Sequence, residues 1–300
     1  ESAINSCLSQ DFPKDEFDVI VVDNSPDADL KQHYADQFAG IETLTYVCEE
    51  TPGLSNARNV ALHMSDAKYI SYLDDDAIAD DIWLSEIRRG FEDISTNVAV
   101  VGGHIEPIWE IERPGWLPSE FEGMFSVVDW GGSDRVAEAD EWFAGANISF
   151  DIEALKAVGG FDTNLGRNGS SASLLSNEES MVCGALDDAG HKRVYMPKAR
   201  VQHLVEKARI SREWMRKRQA WQAVSDFIGN KNRSQRESEG AWHSIAAFYA
   251  ALPPRYRNST GLFRDFDDVE LTRKQLDAVY NFNILMLSGA SNVDDYKYNV

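Results

Sequence analysis

Residues 68–76, KYISYLDDD, open as an apolar, β-prone run and break abruptly into Asp74, Asp75 and Asp76. Carboxylates crowded at the end of a buried strand repel one another unless a cation lies between them. A strand sends alternate side chains to one face, so Asp74 and Asp76 project to the same side. That pair suits a hard divalent ion, Mn2+ or Mg2+, whose other ligands are phosphate oxygens. A helix follows, but an N-cap would need only one of the three acids. Ligands of open α/β sheets also collect at C-terminal strand ends. This segment alone points to a metal-dependent enzyme acting on a nucleotide diphosphate.

Outward from that strand, the first two-thirds of the chain alternates strand and helix. Residues 17–22 (FDVIVV), 41–48, 68–73 and 98–102 read as strands, and 28–38, 54–64 and 81–91 as helices. The βαβα rhythm implies an α/β fold with a mainly parallel sheet covered by helices. Residues 107–142 carry few periodic signals but four tryptophans, Trp109, Trp116, Trp130 and Trp142, which favours an ordered loop. A strand at 146–150 and a helix at 152–158 follow. Residues 166–176 (GRNGSSASLLS) then read as a mobile loop. A helix from 177 and short strands near 193–196 and 200–203 complete a domain over 1–208. Residues 209–300 read as a helical C-terminal extension. The opening ESAINSCL reads as a helix with no strand before it, so an upstream strand is expected to belong to this domain.

Composition narrows the partners. Three hundred residues, 43% of them apolar, can bury a substantial core. A net charge of −21 argues against nucleic-acid binding, which needs cationic surface to displace counterions. A bound metal can still make one site attractive to phosphate. Three scattered cysteines, Cys7, Cys48 and Cys183, fit reduced, mostly buried thiols and a cytoplasmic location. No apolar run is long enough to span a bilayer. The one basic cluster, residues 207–218 (KARISREWMRKR), is either solvated helix charge or a peripheral contact for the cytoplasmic face of a membrane. Oligomeric state is not legible.

Several residues stand out. Asp23 ends the first strand in VVDNSPD, where it and Asn24 are either turn formers or contacts for a nucleoside. Arg58 lies off the apolar stripe of its helix, so it points either to solvent or to a phosphate or the Asp74 carboxylate. Glu178 and Glu179 follow the mobile loop. Either is a candidate general base, although Ser176-x-x-Glu179 also has capping-box spacing. Helical phase turns Glu178 inward with Met181, Val182 and Ala185, and leaves Glu179 on the flank. His203 ends a short apolar strand, where a neutral imidazole could complete a metal shell.

Taken in order, these segments resemble a family 2 inverting glycosyltransferase with the GT-A fold, over about residues 1–221. VVDNSPD looks like its nucleotide-contacting strand end, GLSNARNVAL like its "ARN" helix, and YISYLDDDA like its Asp-x-Asp strand. WFAGANISF with VGGFD resembles the segment lining the donor sugar, NEES the acidic pair with the base, and YMPKARVQH the closing strand with its histidine. The resemblance implies metal ligation by Asp74, Asp76 and His203, and donor contacts from Asp23, Asn24, Arg58, Asp74, Asp75, Trp142, Gly145 and Ala146. It implies Glu179 as the base, against the helical phase that prefers Glu178; the family commonly has Asp at that position. It also implies a UDP-linked donor and a saccharide or lipid-linked acceptor, and the mobile loop at 166–176 is a candidate lid over that donor. A nucleotidyltransferase, or a non-catalytic carbohydrate-binding protein of the same descent, would share parts of this pattern.

Overall fold

Apolar runs of four or five residues set the first layer. After helix α1 (Ser2–Leu8), VIVVD forms β1 (Val19–Asp23) and LTYVC forms β2 (Leu44–Cys48), joined by helix α2 (Ala28–Gln37). The two strands pair in parallel from Val19↔Leu44 to Asp23↔Cys48, as a helical crossover requires. Helix α3 (Leu54–Met64) then leads to β3 (Tyr69–Tyr72), β4 (Ala77–Ala79), α4 (Trp83–Glu92) and β5 (Val98–Trp109). Next come β6 (Arg135–Val136), β7 (Ile148–Asp151), α5 (Ile152–Ala157), α6 (Glu178–Asp188) and β8 (Lys192–Val205). The chain ends in α7 (Arg212–Gly229), α8 (Gln235–Ala251) and α9 (Val269–Gly289). This computed structural model describes residues 1–167, 174–229 and 235–289.

β1 and β2 form one sheet; a second has the order β3-β7-β5-β8-β4, with β6 added on β8. The expected parallel pairing is seen in β1–β2, whereas β3–β7, β5–β7, β4–β8 and β6–β8 are antiparallel, so the whole is mixed. The pairing has a functional consequence. Tyr72 at the end of β3 pairs with Ile148 at the start of β7, which brings the acids after β3 level with Gly145 and Ala146 before β7. In the same way Ala77 pairs with His203, setting the histidine beside the aspartates.

Strands also run longer than their apolar patterns suggest. β5 continues to Trp109, and the two short strands expected near 193–196 and 200–203 are one strand, β8. β8 holds together across Pro197 because its halves have different partners, Val194 and Tyr195 on β6, and Val201 to His203 on β4. The core over these strands includes Val100, Val101, Ile148, Phe150, Val194 and Met196, all fully buried. Each such side chain contributes about 2 kcal/mol by leaving water.

The chain divides into two compact units: Glu1–Ile108, Ser126–Ser170 and Glu178–Leu204, and then Trp109–Phe125, Ser171–Asn177 and Val205–Val300. The first holds every residue of the candidate site. In the second, Phe248, Leu252, Leu262, Ala278 and Val279 form a separate helical core. The basic stretch is partly neutralised there, since Arg212 pairs with Asp267 and Arg216 with Asp265. The expectation of mostly buried thiols holds for Cys183, but Cys7 is half-buried and Cys48 exposed. Alternation would put Cys48 on the face of Leu44 and Tyr46, so its exposure follows from its place at the last position of β2 rather than from the in-out pattern. No helix among the described residues is long and apolar enough to cross a membrane.

Candidate active site

Asp74, Asp76 and His203 offer ligand atoms that all lie within 4.8 Å of one another. The grouping follows from the pairing of β4 with β8, tightened by the Leu204 N–H donating to the Asp76 carbonyl at 2.9 Å. His203 is buried, with Nε2 3.1 Å from Asp76 Oδ1 and Nδ1 enclosed without a hydrogen-bond partner. A buried orphan nitrogen costs free energy unless something satisfies it. Two carboxylates and one imidazole fit a hard or borderline divalent ion such as Mn2+ or Mg2+. Burial, opposed by Arg58, pushes the Asp74 carboxyl up, as crowded carboxylates without a cation should be. The acids do not sit on the strand as its apolar run suggests: Asp74, Asp75 and Asp76 lie in the turn between β3 and β4, where Asp75 is exposed.

Beside this trio sits Arg58, which is only 5% exposed, so the solvent reading of its helix position does not hold. Its guanidinium lies 2.9 Å from Glu179, 3.2 Å from Glu178 and 3.5 Å from Asp74. The rings of Tyr72 and Phe161 flank it at 5.9 and 5.4 Å, a packing that helical periodicity could not foresee. Burial opposes the charge, but the three carboxylates outweigh it and hold Arg58 protonated. Gly145 makes the cluster possible, because a Cβ there would overlap Arg58 Nη2 and Glu179 Oε1. Ala146 beside it is fully buried, and Trp142 is half-buried.

The two glutamates differ. Glu178 is 4% exposed, Glu179 15%. Glu178 keeps one oxygen on Arg58 and the other without a hydrogen-bond partner, and burial with the neighbouring Glu179 charge pushes its carboxyl up to about 7. Helical phase therefore placed Glu178 and Val182 correctly, but Met181 and Ala185, expected inward with them, are exposed, and the buried stripe runs through Cys183 and Leu186 instead. The capping-box alternative is not formed: the Ser176 N–H that it would use donates to Ser225 Oγ at 3.1 Å.

At the end of β1, Asp23 accepts from the Ser25 N–H at 2.7 Å and from the Tyr46 hydroxyl. Burial and the Asp23 carboxylate push the Tyr46 phenol up. Asn24 is a brace: its amide donates to the Glu49 and Thr51 carbonyls, and its oxygen accepts from the Gly53 N–H at 2.7 Å. Sequence reasoning missed Tyr46, whose one signal is its place opposite Val21 in the parallel register. It also missed Asn59, which clamps Phe161 in both directions, Nδ2 to the carbonyl at 2.8 Å and Oδ1 from the N–H at 2.9 Å. Of the loop expected to form a lid, residues 168–173 lie outside the described residues.

Comparison with known proteins agrees with this geometry. A family model described as "Glycosyl transferase family 2" matches residues 1–135. The glucosyl-dolichyl phosphate glucuronosyltransferase of Haloferax volcanii is 29% identical over 227 residues, 75% of this chain and 70% of the relative. The glycosyltransferase AglE of the same organism is 31% identical over 110 residues, 35% of this chain and 34% of its own. Among solved structures, a mannosyltransferase from Pyrobaculum calidifontis in complex with GDP-Man and Mn2+ superposes with a TM-score of 0.60. It is 19% identical and covers 94% of this chain and 81% of its own. The fold is thus that of the GT-A glycosyltransferases. Within that class the chain is a glycosyltransferase, an enzyme that transfers a sugar from a nucleotide-sugar donor to an acceptor, and over residues 1–135 it is similar to family 2.

Proposed function

We propose that the chain is an inverting transferase that moves a hexose-type sugar, carried on UDP, to a hydroxyl of a lipid-linked saccharide. The observation that carries it is the common end of the sheet, where Asp74, Asp76 and His203 converge next to the Arg58–Glu179 pair. Asp74, Asp76 and His203 would hold a divalent ion, which when bound neutralises charge on the departing diphosphate. Asp23 receives the nucleoside at the end of β1. Glu179, the less buried acid of the pair, takes the acceptor's hydroxyl proton, and attack from that side inverts the anomeric carbon. Arg58 holds Glu179 and Asp74 at a fixed separation. Gly145 and Ala146, small and buried, let the sugar approach closely, with Trp142 at its side.

The acceptor class is supported by the Haloferax volcanii relative, whose name gives it a dolichyl-phosphate-linked glucose as substrate. The transferase works at the cytoplasmic face of a membrane, with residues 207–218 as its contact. The Arg212 and Arg216 ion pairs reduce the free positive charge available there. Hydrolysis of a panel of nucleotide sugars, with Mn2+ or with EDTA, tests the reading on wild type and Asp76→Ala. Metal-dependent release of a nucleoside diphosphate, lost in the variant, is expected. Absence of both turnover and metal-dependent nucleotide binding in the wild type overturns it.

A further inference from the structure

Resting on the transferase reading, we propose that His104, Asp129 and Trp130 form an acceptor subsite for a hexopyranose ring. The sheet register locates it. β5 pairs antiparallel with β7 through Gly102↔Ile148, so two further steps along β5 bring His104 level with Ala146. His104 is therefore at the same end of the sheet as the acids that follow β3. Alternation also gives it the face of Gly102, where a Cβ would collide with the Phe143 ring. Trp142 and Phe143 immediately precede the Ala144–Ala146 segment, in which Gly145 abuts Glu179. Three residues span at most about 10 Å, which bounds the separation of Trp142 from Gly145, the residue that abuts the proposed base.

Trp130 is built as a rigid platform. Its indole N–H donates to the Trp142 carbonyl at 2.9 Å, and its own carbonyl accepts from Arg135 at 2.9 Å. Its backbone N–H reaches the Tyr195 hydroxyl at 3.3 Å, and Trp142 meets its ring edge-on, with centroids 6.1 Å apart. The polar edge of the indole is thus used inside the protein, while the residue, packed in part against the core, remains half-buried and keeps some of its surface open. Such a surface suits the C–H face of a pyranose.

The polar partners stand next to it. Asp129, whose side chain is 64% exposed, spends Oδ1 on the Gly131 N–H at 2.9 Å. His104 Nδ1 is 3.8 Å from the same oxygen. That is too far for a direct hydrogen bond and close enough for one hydroxyl to touch both groups. An aromatic platform flanked by a carboxylate and an imidazole matches a sugar ring with its hydroxyls. It does not match a bare alcohol or a lipid phosphate.

The test offers the full chain Mn2+, the donor chosen by the hydrolysis panel, and octyl glycosides of glucose, mannose, galactose and N-acetylglucosamine. Transfer is followed beside acceptor-free donor hydrolysis. At least one octyl hexoside should accept the sugar. Trp130→Ala should raise its KM about tenfold, which is the worth of one good stacking contact. Asp129→Asn and His104→Ala should raise it several-fold, while Trp130→Phe should recover most of the affinity and donor hydrolysis should stay near wild type throughout. If Trp130→Ala also loses hydrolysis through misfolding, the two surface variants decide. Unchanged acceptor KM in the folded variants, or no octyl hexoside accepted while hydrolysis proceeds, overturns the subsite. Absence of hydrolysis in the wild type would instead strike the transferase reading itself.

Discussion

Arg58 Nη1 donates to Glu179 Oε1 across 2.9 Å, joining two residues that stand 121 positions apart in the chain. The same nitrogen serves Glu178, and the other arm of the guanidinium faces Asp74 at 3.5 Å. A single buried cation therefore connects the proposed base to the proposed metal site. Such a cation stabilises little by itself, but its removal strands several charges in a dry environment.

Arg58→Met should thus destabilise the fold by about 3–5 kcal/mol, the usual cost of breaking a buried ion pair from one side. Glu178→Gln in the same chain should return part of that loss, because it removes one of the stranded carboxylates. Denaturant unfolding of the single and double variants measures both effects. Equal stability of Arg58→Met and wild type would mean that the cluster is solvated in solution.

Gly145→Ala tests the close approach. The added methyl would overlap Arg58 Nη2 and Glu179 Oε1, so both must move away from their present positions. Displacement of a reacting group by an ångström costs on the order of 100-fold in rate. The expected outcome is a kcat about two orders of magnitude lower, with a melting temperature lowered by a few degrees because the buried Arg58 pairs are displaced but not removed. A steady-state assay alongside thermal unfolding separates lost positioning from lost fold.

How much of this was legible depended on whether a signal was local. Asp74, Asp76 and His203 announce themselves by ending apolar strands, and the structure brings all three together. Arg58 was ambiguous because its helix shows only an apolar stripe, and the acids and rings that bury it lie at Tyr72, Phe161 and Glu178–Glu179. The antiparallel course of β7 was hidden as well, since an apolar run carries no direction. Asn24 was open for a different reason: a strand-end amide next to an acid reads equally as a turn former or a ligand contact, and its bonds go to Glu49, Thr51 and Gly53. Amide side chains brace turns as readily as they meet substrates.

The acidic pair can be separated by activity. Glu179→Gln should lower kcat about 10²–10⁴-fold, the range for loss of a general base, while leaving donor binding near wild type. Glu178→Gln, whose second oxygen is enclosed and cannot meet an acceptor, should retain most of the activity. The reverse pattern would make Glu178 the base. Nucleotide release in the presence of acceptor, with donor affinity measured separately, distinguishes the two.

Glu178 also predicts how stability changes with pH. Burial, reinforced by the neighbouring Glu179 charge, raises its carboxyl in the folded chain from 4.5 to about 7. Below the lower value it is protonated in both folded and unfolded states and carries no penalty. Between the two values the folded state holds a proton that the unfolded state has released, so stability falls as pH rises. Above about 7 the folded chain carries the charge, and the full penalty, on the order of 3 kcal/mol, is present. Glu178→Gln removes this titration. Its melting temperature relative to wild type should therefore climb by several degrees between pH 5 and pH 8. A constant difference across that range would show that Arg58 keeps Glu178 ionised throughout, and the orphan oxygen would then need another explanation.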